Sequence, residues 1–129
     1  MYFVSYRDVP SRAWKWRDFE PVEIASKGDG SILIDQEAMN RLQRMRDLMG
    51  KPLIINSAYR DPLHNARVGG APRSMHKYGR AFDVSCRFKD RENLVAAAKE
   101  AGFSGLGFYN SWLHVDTGPK RTWGNIWVL

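Results

Sequence analysis

A chain of 129 residues, 43% apolar and 26% charged, is long enough to bury one core without disulfides or a structural metal. Its single cysteine, Cys86, excludes an internal disulfide framework, and no apolar run approaches the ~20 residues of a membrane-spanning helix. A net charge of +6 suits polyanionic partners, but the basic residues are scattered (Arg12, Lys15, Arg17, then Arg41, Arg44, Arg46, then Lys120, Arg121), as on a solvated surface.

No repeat, low-complexity tract or Ser/Gly/Pro linker divides the chain, so residues 1–129 read as one domain. The start, Met1-Tyr-Phe-Val-Ser-Tyr-Arg, lacks a charged segment followed by an apolar one. No secretory signal is therefore expected, and the chain is expected to be cytoplasmic as synthesised. The first thirty residues are rich in aromatics (Tyr2, Phe3, Tyr6, Trp14, Trp16, Phe19) without periodicity. They predict an irregular or short-stranded lead-in wrapped on the core, with a turn at Ser26-Lys-Gly28-Asp-Gly30. Asp35 is an N-cap for a helix to Met49, with Gly50 just past its end. Met39, Leu42, Met45 and Met49 form its buried stripe. Residues 52–59 are the strongest strand candidate. Asp61-Pro62 opens a short helix that Gly69-Gly70 ends. Residues 80–85 predict a strand whose Ala81, Asp83 and Ser85 share one face. Asp90 is expected to cap a second main helix to Ala101, with Leu94, Val95 and Ala98 inward and Gly102 as its stop. Residues 105–109 and 112–117 predict a hairpin around Asn110-Ser111. This order of elements predicts an α+β fold, an antiparallel sheet with two main helices.

The chain has only three histidines, and two of them fall in a pattern that suits a metal. His76 and Asp83 are too far apart for one helical face, and Gly79 between them lets a loop histidine fold back toward a strand aspartate. His114 lies in the second strand of the predicted hairpin, and Asp116, two residues on, shares its face. Two imidazoles and a carboxylate are the donors that hold a catalytic Zn²⁺ with one position open. A carboxylate in the apolar run Ala81-Phe82-Asp83-Val84 also demands a cationic or metal partner. Asp116 either joins this set or supports one of its ligands. His64 is assigned to the short helix, and Cys86 reads as a small buried residue.

Ser74-x-His76-x-x-Gly79-x-Ala81-x-Asp83 with His114-x-Asp116 resembles the zinc D-Ala-D-Ala carboxypeptidase and murein endopeptidase family, which includes phage endolysins and shares its fold with the hedgehog domain. Ser57-Ala-Tyr59-Arg60 and the segment Asn65-x-x-Val68-Gly-Gly-Ala-Pro-x-Ser74 extend the resemblance upstream. It covers residues 50–119 well and the N-terminal third loosely. The resemblance implies His76, Asp83 and His114 as ligands of one Zn²⁺ per chain, Arg60 as an oxyanion-stabilising group, and Ser74 as a substrate contact. An ion pair with Asp61 or another carboxylate is the structural alternative for Arg60.

One departure stands out. Many relatives carry an acidic residue three positions before the last histidine, as general base; here that position is Ser111, and no histidine occurs at Phe108, Tyr109 or Asn110. Asp116 is the nearest carboxylate and is read as base or water-orienting group, with Tyr109 as a hydrogen-bond donor to the tetrahedral intermediate. Trp112, Trp123 and Trp127 are candidates to rim a groove, or to pack the terminal hairpin. The expected function is a peptidase of peptidoglycan stem peptides, monomeric and without membrane insertion, of phage or bacterial origin. A phage product would reach the wall by a lysis or tail route. The competing readings are a non-catalytic zinc-stabilised module that binds cell wall, and a basic nucleic-acid-binding domain, for which no recognition helix or stacking motif speaks.

Overall fold

The structure, a computed structural model, describes residues 1–124. Its N-terminal segment is the lead-in that the aromatic content suggested. A two-residue strand β1 (Tyr2–Phe3) pairs antiparallel with β2 (Ile32–Leu33). Between them lies the one-turn helix α1 (Pro21–Ile24), started by Pro21 and by reciprocal bonds between Glu20 and Glu23. Trp16, Phe19 and Ile24 are buried in the core, and Gly30 N–H closes the expected turn on Ser26 O at 2.9 Å.

Helix α2 (Gln36–Met49) begins where the sequence places it. The Asp35 carboxylate accepts from Ala38 N–H at 2.9 Å, and Gly50 ends the helix in the left-handed conformation at φ 67°. Met39, Leu42 and Met45 are buried in the apolar core, and Met49 packs against it half-buried, as the stripe predicts. Between the strand β3 (Ile55–Ser57) and the strand β4 (Ala81–Ser85) lie helix α3 (Pro62–Arg67) and a 3-10 turn, Met75–Tyr78. Helix α4 (Arg91–Glu100) buries Leu94, Val95 and Ala98 as expected. Its capping differs from expectation. Asp90 closes a 3-10 turn and binds Lys51 Nζ at 2.7 Å, so its carboxylate caps no helix N–H.

The strands β5 (Gly105–Phe108) and β6 (Trp112–Asp116) form the predicted hairpin, and a further strand β7 (Arg121–Gly124) follows. The five-stranded sheet has the order β3-β4-β6-β5-β7. All its pairs are antiparallel except β5 with β7, which run parallel. The predicted strand over 52–59 shortens to three residues, because the register with β4 breaks between Ile55 and Ser57. Alternation then sorts the two faces. Phe82, Val84, Leu106, Phe108, Leu113 and Val115 join α2 and α4 in the core. Asp83, His114, Asp116, Gly105 and Gly107 lie on the opposite face, which is where the site is built.

Candidate metal centre

The register between β4 and β6 sets Asp83 directly opposite His114, and Ala81 opposite Asp116. His76 arrives from the 3-10 turn. Ser74 Oγ caps that turn by accepting from His76 N–H at 3.2 Å, and Gly79 ends it at φ 70°. A side chain at Gly79 would also strike the Leu33 carbonyl oxygen, so this position needs glycine on both counts. Arg60 N–H bonds His76 O at 3.0 Å, which ties the turn to the segment after β3.

His76, Asp83 and His114 are all buried, and each offers a ligand atom within 4.8 Å of the others. His76 Nε2 stands 3.2 Å and His114 Nδ1 3.0 Å from the same Asp83 Oδ1. The far side of each ring decides its tautomer. His76 Nδ1 lies 2.6 Å from Ala58 O, a carbonyl that can only accept, so this nitrogen carries the proton. His114 Nε2 lies 2.7 Å from Asp116 Oδ2, a carboxylate held ionised by two bonds from Arg121, so here too the far nitrogen donates. In its neutral form each ring therefore turns a lone pair toward Asp83. Three acceptors that converge with no donor among them fit a divalent cation, and the N₂O set with its fourth side open fits zinc.

Without an ion, burial and the neighbouring charges pull these four groups in different directions. Burial lowers His76, and the pull of Asp83 offsets that only in part. For Asp83 burial acts upward, but the facing imidazoles of His114 and His76 hold it well below the usual carboxylate range. Burial likewise lowers His114, yet its two carboxylate neighbours, Asp116 and Asp83, leave it above the ordinary value. Asp116 is raised by burial and brought down to about 2 by His114, Arg121 and Gly118 N–H.

The seven residues singled out in the sequence, Arg60, Ser74, His76, Asp83, Tyr109, His114 and Asp116, all line one cleft of about 580 Å³. Arg60 sits beside the metal ligands, with Nη2 3.3 Å from Asp83 Oδ2 and the rest of the guanidinium held by Ser57 Oγ and Asn65 Oδ1. Its carboxylate partner is thus Asp83. Asp61 instead receives Ser26 Oγ at 2.5 Å and His64 N–H at 2.9 Å, where His64 belongs to α3. Tyr109 stacks on Trp112 with ring centres 4.5 Å apart, and its oxygen accepts from Trp123 Nε1 at 3.0 Å. Trp112 and Trp123 both line the cleft, while Trp127 lies outside the described residues. Cys86 is half-buried just past β4, and burial raises its thiol.

Asp116 departs from the role of base. It is 0% exposed, and its oxygens accept from His114, from both prongs of Arg121 and from Gly118 N–H. No lone pair faces open space, so the geometry is that of a carboxylate that orients an imidazole. Sequence reasoning missed Arg121 and Asn65. The available signal for Arg121 was the pair Gly105 and Gly107 on one face of β5. A Cβ on Gly105 would overlap Asp116 and Arg121, and one on Gly107 would stand 2.6 Å from the Trp123 ring.

Comparison with known proteins places this geometry in a family. The chain is 38% identical over 91 residues to a zinc D-Ala-D-Ala carboxypeptidase of Streptomyces albus G, a match that covers 66% of this chain and 36% of that protein. It is 31% identical over 117 residues to the peptidoglycan L,D-endopeptidase MepK of Escherichia coli K12, covering 84% of this chain and 60% of that protein. It therefore spans less than two thirds of the length of either relative. The profile of the family described as Peptidase M15 matches residues 18–116, which include every proposed ligand. The chain belongs to the Peptidase M15 family.

Proposed function

We propose that this chain is a zinc-dependent peptidase that hydrolyses bonds in peptidoglycan stem peptides, of D-Ala-D-Ala carboxypeptidase or endopeptidase type. The observation that carries the reading is the convergence of His76 Nε2, Asp83 Oδ1 and His114 Nδ1 in the floor of a cleft, with both imidazoles fixed from behind. Those three atoms would hold the ion. When bound, zinc supplies Lewis acidity toward water and the scissile carbonyl.

The remaining work falls to this chain's own side chains. Arg60 is held by Ser57 and Asn65 and presents its guanidinium at the edge of the ligand set, where it stabilises negative charge developing on the carbonyl oxygen. Tyr109, held by Trp112 and Trp123 on the cleft wall, is the second donor toward that oxygen. Ser74 caps the His76 turn and offers its hydroxyl at the cleft for substrate. The +6 charge favours an anionic wall. We propose a monomer of phage or bacterial origin, cytoplasmic as synthesised, which as a phage product would reach the wall by a lysis or tail route.

One observation favours a second reading, a zinc-stabilised module that binds wall without cutting it. Position 111 is serine, and the carboxylates lining the cleft, Asp83 and Asp116, are both engaged. Incubation of the zinc-loaded protein with purified peptidoglycan, followed by mass spectrometry of the muropeptides, separates the two. New fragments establish the peptidase and identify the bond. Sedimentation with the wall and no new fragments establishes the module.

A further inference from the structure

We infer that Arg121 is a positioning residue of the metal centre: through Asp116 it fixes His114 in the orientation and tautomer that turn Nδ1 toward Asp83. The inference rests on the metal-site part of the reading above and not on the identity of the substrate.

The chain of contacts runs across three strands. Arg121 on β7 grips Asp116 on β6 with both prongs, Nη1 to Oδ1 at 2.9 Å and Nη2 to Oδ2 at 2.8 Å. A two-pronged guanidinium on a fully buried carboxylate keeps that carboxylate ionised, hence an acceptor only. His114 Nε2, 2.7 Å away, is then obliged to donate, and the lone pair of the ring is left on Nδ1. Without Arg121 the buried carboxylate loses its counter-charge, and the alternative tautomer, with the proton on Nδ1, is no longer excluded. That proton would point at Asp83 in place of a ligand lone pair.

Two further features show that the sheet is built around this grip. Gly105, between the strands on the same face, is the only side chain size that leaves room, because any Cβ there would overlap Asp116 Oδ1 and Arg121 Nη1. Arg121 is itself steadied by Pro119 O at 2.7 Å and by the Trp123 ring 4.8 Å below its guanidinium, and that ring stands 4.9 Å from the His114 imidazole. Strand β7 adds no residue to the buried core and lies beyond residue 116, where the family match ends. What it brings to the fold is Arg121 and Trp123.

The test is the zinc affinity of the full chain, measured by competition with a chromophoric chelator, for wild type, Arg121→Gln and Arg121→Lys. Nitrogen-15 NMR of the His114 ring, with and without zinc, reports its tautomer. Arg121→Gln is expected to bind zinc about 10- to 100-fold more weakly, with mixed tautomers at His114. Arg121→Lys, which keeps the charge but not the fork, is expected to fall between. Wild-type zinc affinity in Arg121→Gln overturns the inference, as does an unaltered His114 tautomer when both variants are merely less stable. If Arg121→Gln does not fold, Arg121→Lys decides, and wild-type affinity there is the overturning result. A wild-type protein that binds no zinc defeats the metal-site reading itself, an outcome separate from a variant that matches wild type.

Discussion

Asp116→Asn is the substitution that separates a carboxylate that orients a ligand from one that moves a proton. Four donors converge on Asp116: His114 Nε2 and Arg121 Nη2 on one oxygen, Gly118 N–H and Arg121 Nη1 on the other. An amide keeps the shape but has one acceptor atom and one doubly protonated nitrogen. Whichever way it lies, two of the four donors face another donor. Hydrogen bonds to charged groups contribute about 1.5–3 kcal/mol each. The Arg121 side chain is 38% exposed, so water recovers part of its share. The expected loss is about 2–3 kcal/mol of zinc-free stability, or roughly 10 °C in a chain of this size. If the amide nitrogen turns to His114, the ring answers by moving its proton to Nδ1, and zinc affinity falls about 10- to 100-fold. Urea unfolding in the presence of chelator measures the first quantity, and chelator competition the second. Full stability and full zinc affinity with turnover abolished would refute the reasoning and return Asp116 to the role of base.

The zinc-loaded chain is expected to contain one zinc, and His76→Ala, Asp83→Ala and His114→Ala each to lose it, by elemental analysis after gel filtration. Arg60→Lys keeps the charge but not the planar fork and is expected to lower kcat about 100-fold or more at unchanged zinc content; unchanged kcat removes Arg60 from the oxyanion role. Gly107→Ala places a methyl 2.6 Å from the Trp123 ring, an overpacking that costs about 1–3 kcal/mol and alters tryptophan near-UV dichroism. Burial acts upward on the Asp61 carboxyl, but the bonds from Ser26 and His64 N–H bring it below its ordinary value. Its contribution is therefore present above the unfolded aspartate pKa of ~3.9 and lost as pH falls through the lower folded one. Asp61→Asn is expected to flatten the acid limb of stability against pH; an unchanged limb excludes Asp61 as a source of acid sensitivity.

Much of the site was legible because its residues obey local rules. The turn at Gly79, the strand alternation through Asp83, and the two-residue step from His114 to Asp116 each follow from short-range geometry. Pairing of β4 with β6 then brings the pieces together in the register that sets Asp83 against His114. The capping of α2 by Asp35 and Gly50 was equally local. Asp90 shows where such rules fail. A good capping residue met a lysine 39 positions away in sequence rather than its own helix, since Lys51 Nζ at 2.7 Å offers a charged donor that the backbone N–H does not match. The role of Asp116 was illegible for a similar reason: a carboxylate beside a histidine reads alike as base or support until its other partners are known.

Strand β7 was missed because its segment has no apolar alternation to read. Its placement is specified from the other side, by what β5 leaves out. Leu106 and Phe108 fill the core face of β5, while Gly105 and Gly107 leave the other face bare. Glycine weakens a strand interior unless something must approach the backbone closely, and two glycines at a period of two on one face require a neighbour lying across both. Arg121 and Trp123 pair with these same two positions in the parallel register. The glycines, the ionised Asp116 and the added strand are thus one arrangement. On this argument Gly105→Ala mimics Arg121→Gln without removing a charge, by forcing Arg121 and Asp116 apart. It is expected to weaken zinc binding in the same direction; a Gly105→Ala protein with wild-type zinc affinity would show that the clearance serves packing alone.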